Sequence, residues 1–171
     1  EGMILSEKEL NLGEDDSGIM ILDASATPGA PRREALGLAD RIFDIDLTPN
    51  RGDCLSILGI AREVAAFYGL PLHLPRTGMD EASPACGDMV GIGVDDGAAC
   101  PLYQARVAEG MSIGTSPAWL RYRLLAMGQR PINAVVDVTN YVMLETGQPL
   151  HAFDLDRIAG PAIRVARSAS E

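Results

Sequence analysis

Apolar positions along this chain change period several times, and each change marks a predicted element. In Ile42-Phe43-Asp44-Ile45-Asp46-Leu47 the apolar residues Phe43, Ile45 and Leu47 alternate with two aspartates. That period of two predicts a strand over 42–47 with one wet face. Pro49, Asn50 and Gly52 then supply turn chemistry. Asp53 is placed as the N-cap of a helix over 54–68, whose Ile57, Ile60, Ala61, Val64, Phe67 and Tyr68 recur at helical spacing as a buried stripe. Gly69 closes that helix and Pro71 blocks its continuation. Ser116 is read as a cap and Pro117 as the first residue of a second helix, which carries Trp119, Leu120, Leu124 and Met127 and stops at Gly128. Strands are predicted at 90–94, 102–108, 134–138 and 162–166, and a helical turn or two at 141–145. Residues 1–40, broken by Gly13, Gly18, Pro28, Gly29, Pro31 and Gly37, read as loops and short elements. No β-α-β rhythm appears, so the predicted class is α+β, with mixed or antiparallel strands and short helices. Two parts are predicted, 1–75 and 89–171, joined by a small, polar linker over 76–88.

Composition narrows the function classes. At 171 residues, 47% hydrophobic and 22% charged, the chain can bury a core. No apolar run approaches the ~20 residues of a membrane span, so no membrane partner is expected. No basic segment precedes an apolar one, so no signal peptide is read, and a cytoplasmic location is expected. Glu1 is an unusual natural start, which suggests a piece of a longer protein. Cys54, Cys86 and Cys100 are odd in number and widely spaced, which fits reduced thiols better than disulfides or a zinc site. The net charge is −10, but unevenly spread. Residues 1–100 hold 7 basic and 18 acidic groups; residues 101–171 hold 7 basic and 6 acidic, and those seven are all arginine. An acidic chain is a poor non-specific nucleic-acid binder, yet the second part could meet a phosphate locally.

Each candidate for chemistry has a plainer reading beside it. Arg51-Gly52-Asp53 follows a turn, so Asp53 as cap and Arg51 paired with Asp44 or Asp46 account for its polar groups. His73 lies between two prolines and reads as a surface-loop residue. Arg121, Arg123 and Arg130 border the second helix, either as a solvated face or as phosphate contacts. Thr139, Asn140 and His151 are the remaining set. The plain reading makes Thr139 an N-cap, Asn140 a turn residue and His151 a loop residue. The functional reading brings a hydroxyl, an amide and an imidazole to one pocket rim across a short helix and the Gly147-Gln148-Pro149 turn. Such a trio suits orienting a water and polarising a carbonyl on a reactive ester. It holds no nucleophile–base pair, so it does not suit covalent catalysis.

At these residues a family comes into view. "DIDLTPNRGDCLSILGIAREVAAFYG" and "RPINAVVDVTNYVMLETGQPLHAFDLD", with "GMILSEKELNLGEDDSGIMIL" at the start, resemble the β subunit of bacterial phenylalanyl-tRNA synthetase. The resemblance spans nearly the whole chain, with 76–98 uninformative. It implies that 89–171 is the N-terminal part of the editing domain, which removes tyrosine wrongly esterified to tRNA(Phe), and that 1–75 is the structural region preceding it. It implies that Thr139, Asn140 and His151 act in the editing pocket, that Pro149 shapes the turn there, and that Arg130 contacts substrate. The implied partners are tRNA(Phe) and an α subunit, in an α2β2 assembly. ATP and magnesium are implied for the whole enzyme, with no cofactor in this segment. The physical need for editing is clear: a hydrophobic pocket rejects an added hydroxyl by only about 10²-fold. The family also places the reader of the tyrosine hydroxyl, and further strands, beyond Glu171, so an uncovered apolar face is expected. A second class stays open, a non-catalytic scaffold or tRNA-docking module.

Overall fold

The computed structural model describes residues 3–22, 24, 26–75 and 77–168. Among these residues five helices, α1 (Arg32–Ala35), α2 (Ile57–Tyr68), α3 (Cys86–Met89), α4 (Ala118–Ala126) and α5 (Ala134–Thr146), accompany two strands, β1 (Gly91–Val94) and β2 (Ala162–Val165). Single 3-10 turns lie at Gly52–Cys54 and Leu155–Arg157. The α+β class is as predicted. Both strands fall where the sequence placed them, and they pair in parallel, from Gly91 opposite Ala162 to Val94 opposite Val165. A parallel pair needs a long crossover, and α4 and α5 lie within it.

The predicted strand at 134–138 is instead the first part of α5, and the predicted turn at 141–145 is its end. Asn133 decides this. Its Oδ1 accepts hydrogen bonds from the Val135 and Val136 amides, both at 3.1 Å, which satisfies two of the unpaired donors of a helix start. Gly147 closes the helix at φ 81°, its N–H reaching the Met143 carbonyl. Against this, the helix penalty of Val135, Val136 and Val138 is a few tenths of a kcal/mol each. Thr139 is therefore mid-helix, not an N-cap. The predicted strands at 42–47 and 102–108 do not form. Ile42 and Phe43 are exposed, and among the described residues no strand pairs with either segment. Alternation reports a one-sided apolar face, but a strand also needs a neighbour for its amides.

Helix α2 begins three residues later than predicted. Ser56 is its cap, its Oγ accepting from the Gly59 amide at 3.0 Å, while Asp53 sits in the preceding 3-10 turn. Gly69 ends α2 at φ 62°, as read. Its buried point is Gly59, pressed on the 3-10 turn: a Cβ there would lie 2.1 Å from the Asp53 carbonyl oxygen. The predicted stripe is largely wet, with Phe67 82% exposed. This fits the molecule as a whole. Its surface of 13967 Å² far exceeds the roughly 8000 Å² of a compact monomer of this mass. Helix α4 starts after Pro117, not at it, because Ser116 is buried and bonded elsewhere. Leu120 and Leu124 form its core, Trp119 and Met127 stay exposed, and Gly128 at φ 75° follows its end. Helix α3 begins inside the predicted linker, and an ion pair from Glu7 to Arg121 joins the two predicted parts.

Gly59→Ala should lower stability by ~1–3 kcal/mol, because the clash is with backbone and cannot relax by a rotamer change. Gly87→Ala, where nothing lies within 4 Å of the added Cβ, should leave the thermal midpoint unchanged or raise it. Thermal melts of the two variants check the contrast; equal midpoints would contradict it.

Candidate functional site

The polar centre of the fold is Asp137, in the first turn of α5 and 1% exposed. Its Oδ2 accepts from the Ser116 hydroxyl at 2.5 Å and its Oδ1 from the Ile132 amide at 2.8 Å. These bonds tie the segment before α4 and the segment before α5 to one carboxylate. A buried charge is tolerated only where it is hydrogen-bonded in this way. Beside it, Arg121 makes a bidentate pair with Glu7, at 2.9 and 2.7 Å, with both side chains mostly buried. The Glu7 carboxylate holds the Arg121 guanidinium above its ordinary range, and burial pushes the Tyr122 phenol up. Among the described residues, the buried Tyr122 hydroxyl and Arg121 Nε find no hydrogen-bond partner.

These groups line a cleft of about 750 Å³, together with Arg123, Arg130, Asp40 and Ile132. Of the residues the sequence singled out, the cleft includes Arg121, Arg123 and Arg130 and not Thr139, Asn140, Pro149 or His151. Thr139 and Asn140 are half-buried on α5, and the Thr139 hydroxyl donates to the Val136 carbonyl at 2.7 Å. His151 is exposed in the loop after Gly147, with its ring centroid 6.4 Å from that of Phe153. Pro149 is exposed in the same loop, its carbonyl accepting from Gln148 Nε2 at 3.4 Å. His73 is exposed, as read.

The Arg51 reading needs correction. Its guanidinium pairs with Asp53 and Glu63, at 2.9 and 2.8 Å, rather than with Asp44 or Asp46, and it also reaches Cys54 Sγ at 3.0 Å. Asp53 is thus a clasp on Arg51 rather than a helix cap. The hydrogen bond from Arg51 lowers the Asp53 carboxyl to about 2, and burial pushes the Cys54 thiol up. Asp53, Cys54 and Glu63 converge closely enough to hold an ion, but the Arg51 cation already lies among them. Cys54, Cys86 and Cys100 are free thiols, consistent with the reduced state read from their spacing.

Sequence reasoning missed Asp137 and gave Ser116 the role of a helix cap rather than of Asp137's donor. The available signal was a lone carboxylate inside Ala134-Val135-Val136-Asp137-Val138, since a charge within an apolar run is either a wet face or a buried anchor.

Comparison with known proteins now bears on this geometry. Residues 99–171 match the family model of the B3/4 domain. The phenylalanine–tRNA ligase β subunit of Oleidesulfovibrio alaskensis is 51% identical over 168 residues, covering 98% of this chain and 21% of that protein. Those of Nitratidesulfovibrio vulgaris and Geobacter metallireducens are each 52% identical, over 96% and 99% of this chain and 21% of theirs. The chain belongs to the phenylalanine–tRNA ligase β-subunit family. It spans about a fifth of the length of the curated relatives it matches. The B3/4 match holds α4, α5, the Asp137 anchor and all five residues named from the motif, so the family's signature and the polar centre of the fold coincide. Arg51 and the α2 clasp lie outside it.

Two outcomes test the site's construction. Asp137→Ala leaves the Ser116 hydroxyl and the Ile132 amide without an acceptor and should cost at least ~2 kcal/mol, whereas Asp137→Asn keeps an acceptor and should lose less than half of that; denaturant midpoints separate the two. Asp53 has a folded pKa below its ordinary 3.8, so its contribution is full above about pH 4 and is lost as pH falls toward 2. In Asp53→Asn that part of the acid limb should be missing from melting midpoints measured between pH 5 and 2.

Proposed function

We propose that this chain forms part of the editing and tRNA-binding region of a phenylalanine–tRNA ligase β subunit, where it contributes to hydrolysis of tyrosyl-tRNA(Phe). The observation that carries the reading is about half identity to such subunits across nearly the entire chain, with the segment that holds Thr139, Asn140, Pro149 and His151 inside the B3/4 match. In this reading 1–75 is the preceding structural region, 76–88 the linker and 89–171 the N-terminal part of the editing domain. The whole enzyme charges tRNA(Phe) with phenylalanine using ATP and magnesium, pairs with an α subunit in an α2β2 assembly, and works in the cytoplasm. No helix among the described residues is long and apolar enough to cross a membrane. The Asp53–Cys54–Glu63 group does not fit the magnesium of that reaction, because it mixes a thiol with carboxylates and holds Arg51.

The side chains support specific roles. The Thr139 hydroxyl hydrogen is committed to the Val136 carbonyl, so its oxygen remains an acceptor for a ribose hydroxyl or a water. The Asn140 amide, next along α5, can donate to the ester carbonyl as charge develops there. The His151 imidazole, exposed to solvent, can orient the attacking water and accept its proton, with Pro149 setting the loop that carries it. Arg130 faces the cleft and can meet a phosphate. The second reading, a tRNA-docking module without chemistry, draws on the exposure of His151 and its absence from the cleft lining.

In the complete enzyme, His151→Ala should slow tyrosyl-tRNA(Phe) deacylation by about 10²–10⁴ and leave phenylalanine charging near normal. Single-turnover deacylation and charging assays check this. Equal losses in both, or no loss in deacylation, would favour the docking module.

A further inference from the structure

Trp119 and Arg123 are four residues apart, so they share one face of α4. Tyr141 reaches that face from α5. The rings of Trp119 and Tyr141 meet edge to face, with centroids 5.7 Å apart at 89°. Arg123 closes the group: its Cζ lies 5.6 Å from the Trp119 ring centroid, and its Nη1 donates to the Tyr141 hydroxyl at 3.1 Å. The side chains therefore brace one another while the group stays at the surface. Trp119 is 52% exposed, although the adjacent Leu120 is 2% exposed in the core. Among the described residues no carboxylate pairs with Arg123 or Arg130, and both line the cleft.

The core does not use this group: Leu120 and Leu124 fill it, while Trp119 stays half open. An indole held open to water beside a guanidinium that no carboxylate among the described residues neutralises matches the needs of an unpaired nucleotide, whose base presents a flat π-face and whose phosphate carries one charge. The charge distribution agrees, since Arg123 and Arg130 lie in the part of the chain where arginines outnumber carboxylates. Of the acidic groups of the same cleft, Asp137 is buried and hydrogen-bonded, Glu7 is paired with Arg121, and Glu14, Asp15 and Asp40 come from the N-terminal segment, so the last three disfavour a phosphate on that side and favour one along 123–130. Tyr141 rides on the same helix, α5, as Thr139 and Asn140, the residues assigned above to the ester, on a different face of it.

We propose that Trp119, Tyr141 and Arg123 form a stacking platform for an unpaired nucleotide at an RNA 3′ end, with the base on the indole and the phosphodiester on Arg123. This rests on the editing reading for the identity of the RNA as tRNA, and it adds a recognition element outside Thr139, Asn140 and His151.

Trp119 is the sole tryptophan, so its own fluorescence reports the contact. Titrating the 171-residue chain with the single-stranded RNA ACCA should quench that fluorescence saturably, and a duplex RNA or inorganic polyphosphate of equal charge should not. With a 3′-labelled ACCA read by anisotropy, Trp119→Leu and Arg123→Gln should each weaken binding about tenfold, in the range seen when a base-stacking ring is removed. Both variants should keep the wild-type melting midpoint. No quenching by ACCA would overturn the proposal, as would equal quenching by polyphosphate or unchanged affinity in both folded variants; the patch would then serve as a protein contact. Failure here is separable from failure of the editing reading. If His151→Ala abolishes deacylation while Trp119→Leu leaves ACCA binding intact, only the platform falls. If ACCA stacks on Trp119 while His151→Ala deacylates normally, the platform stands and the editing assignment falls.

Discussion

The arrangement of α4 and α5 depends on one carboxylate. Asp137 is almost wholly buried, and its two oxygens accept from Ser116 and from the Ile132 backbone. Hydrogen bonds to a charged group contribute about 1.5–3 kcal/mol each, and leaving such a group unsatisfied costs more. The segments that precede the two helices are therefore fixed to the same point. That fixes which faces of α4 meet the core, which meet Glu7, and which meet solvent. Leu120 and Leu124 go inward, Arg121 reaches Glu7, and Trp119 and Arg123 are left outside beside Tyr141.

A second knot operates by charge rather than burial. Arg51 holds Asp53 and Glu63, linking the turn before α2 to the helix itself, while Gly59 lets that turn approach within a distance no side chain would permit. Exposed ion pairs contribute little individually, so the stabilising weight here lies with the close Gly59 contact and the Ser56 cap. The outer face of α2, with Ile57, Val64, Phe67 and Tyr68, remains wet. Its apolar period is that of a buried helix, and its exposure is one instance of a wider pattern, since Ile21, Phe43, Leu102 and Ile113 are also wet.

The residues assigned to the ester fit this frame without stabilising it. Thr139 and Asn140 ride on α5, whose position Asp137 fixes, whereas His151 and Pro149 sit on the exposed loop that follows Gly147. The proposed roles would thus divide between an exposed loop and a rigid helix, in keeping with the tendency of binding residues to concentrate on loops held by a scaffold.

Local chemistry was legible in the sequence wherever neighbouring residues settle the outcome. Gly69 and Gly128 mark helix ends because only the left-handed backbone they permit closes those turns. The runs near 90–94 and 162–166 form strands as read. The motif holding Thr139, Asn140 and His151 carried the family with it. Tertiary structure decided what neighbours could not. Residues 42–47 alternate like a strand but find no partner. Residues 134–138 look like a strand by β-branching, yet Asn133 capping and Asp137 burial make them helix. Arg51 chose Glu63, twelve positions away, over the nearer Asp44 and Asp46. Periodicity records which side of a segment is apolar; it does not record what that side will meet. Whether an aspartate in an apolar run becomes a wet residue or a buried anchor depends on donors such as Ser116, distant in sequence, that only the folded chain brings within hydrogen-bonding distance.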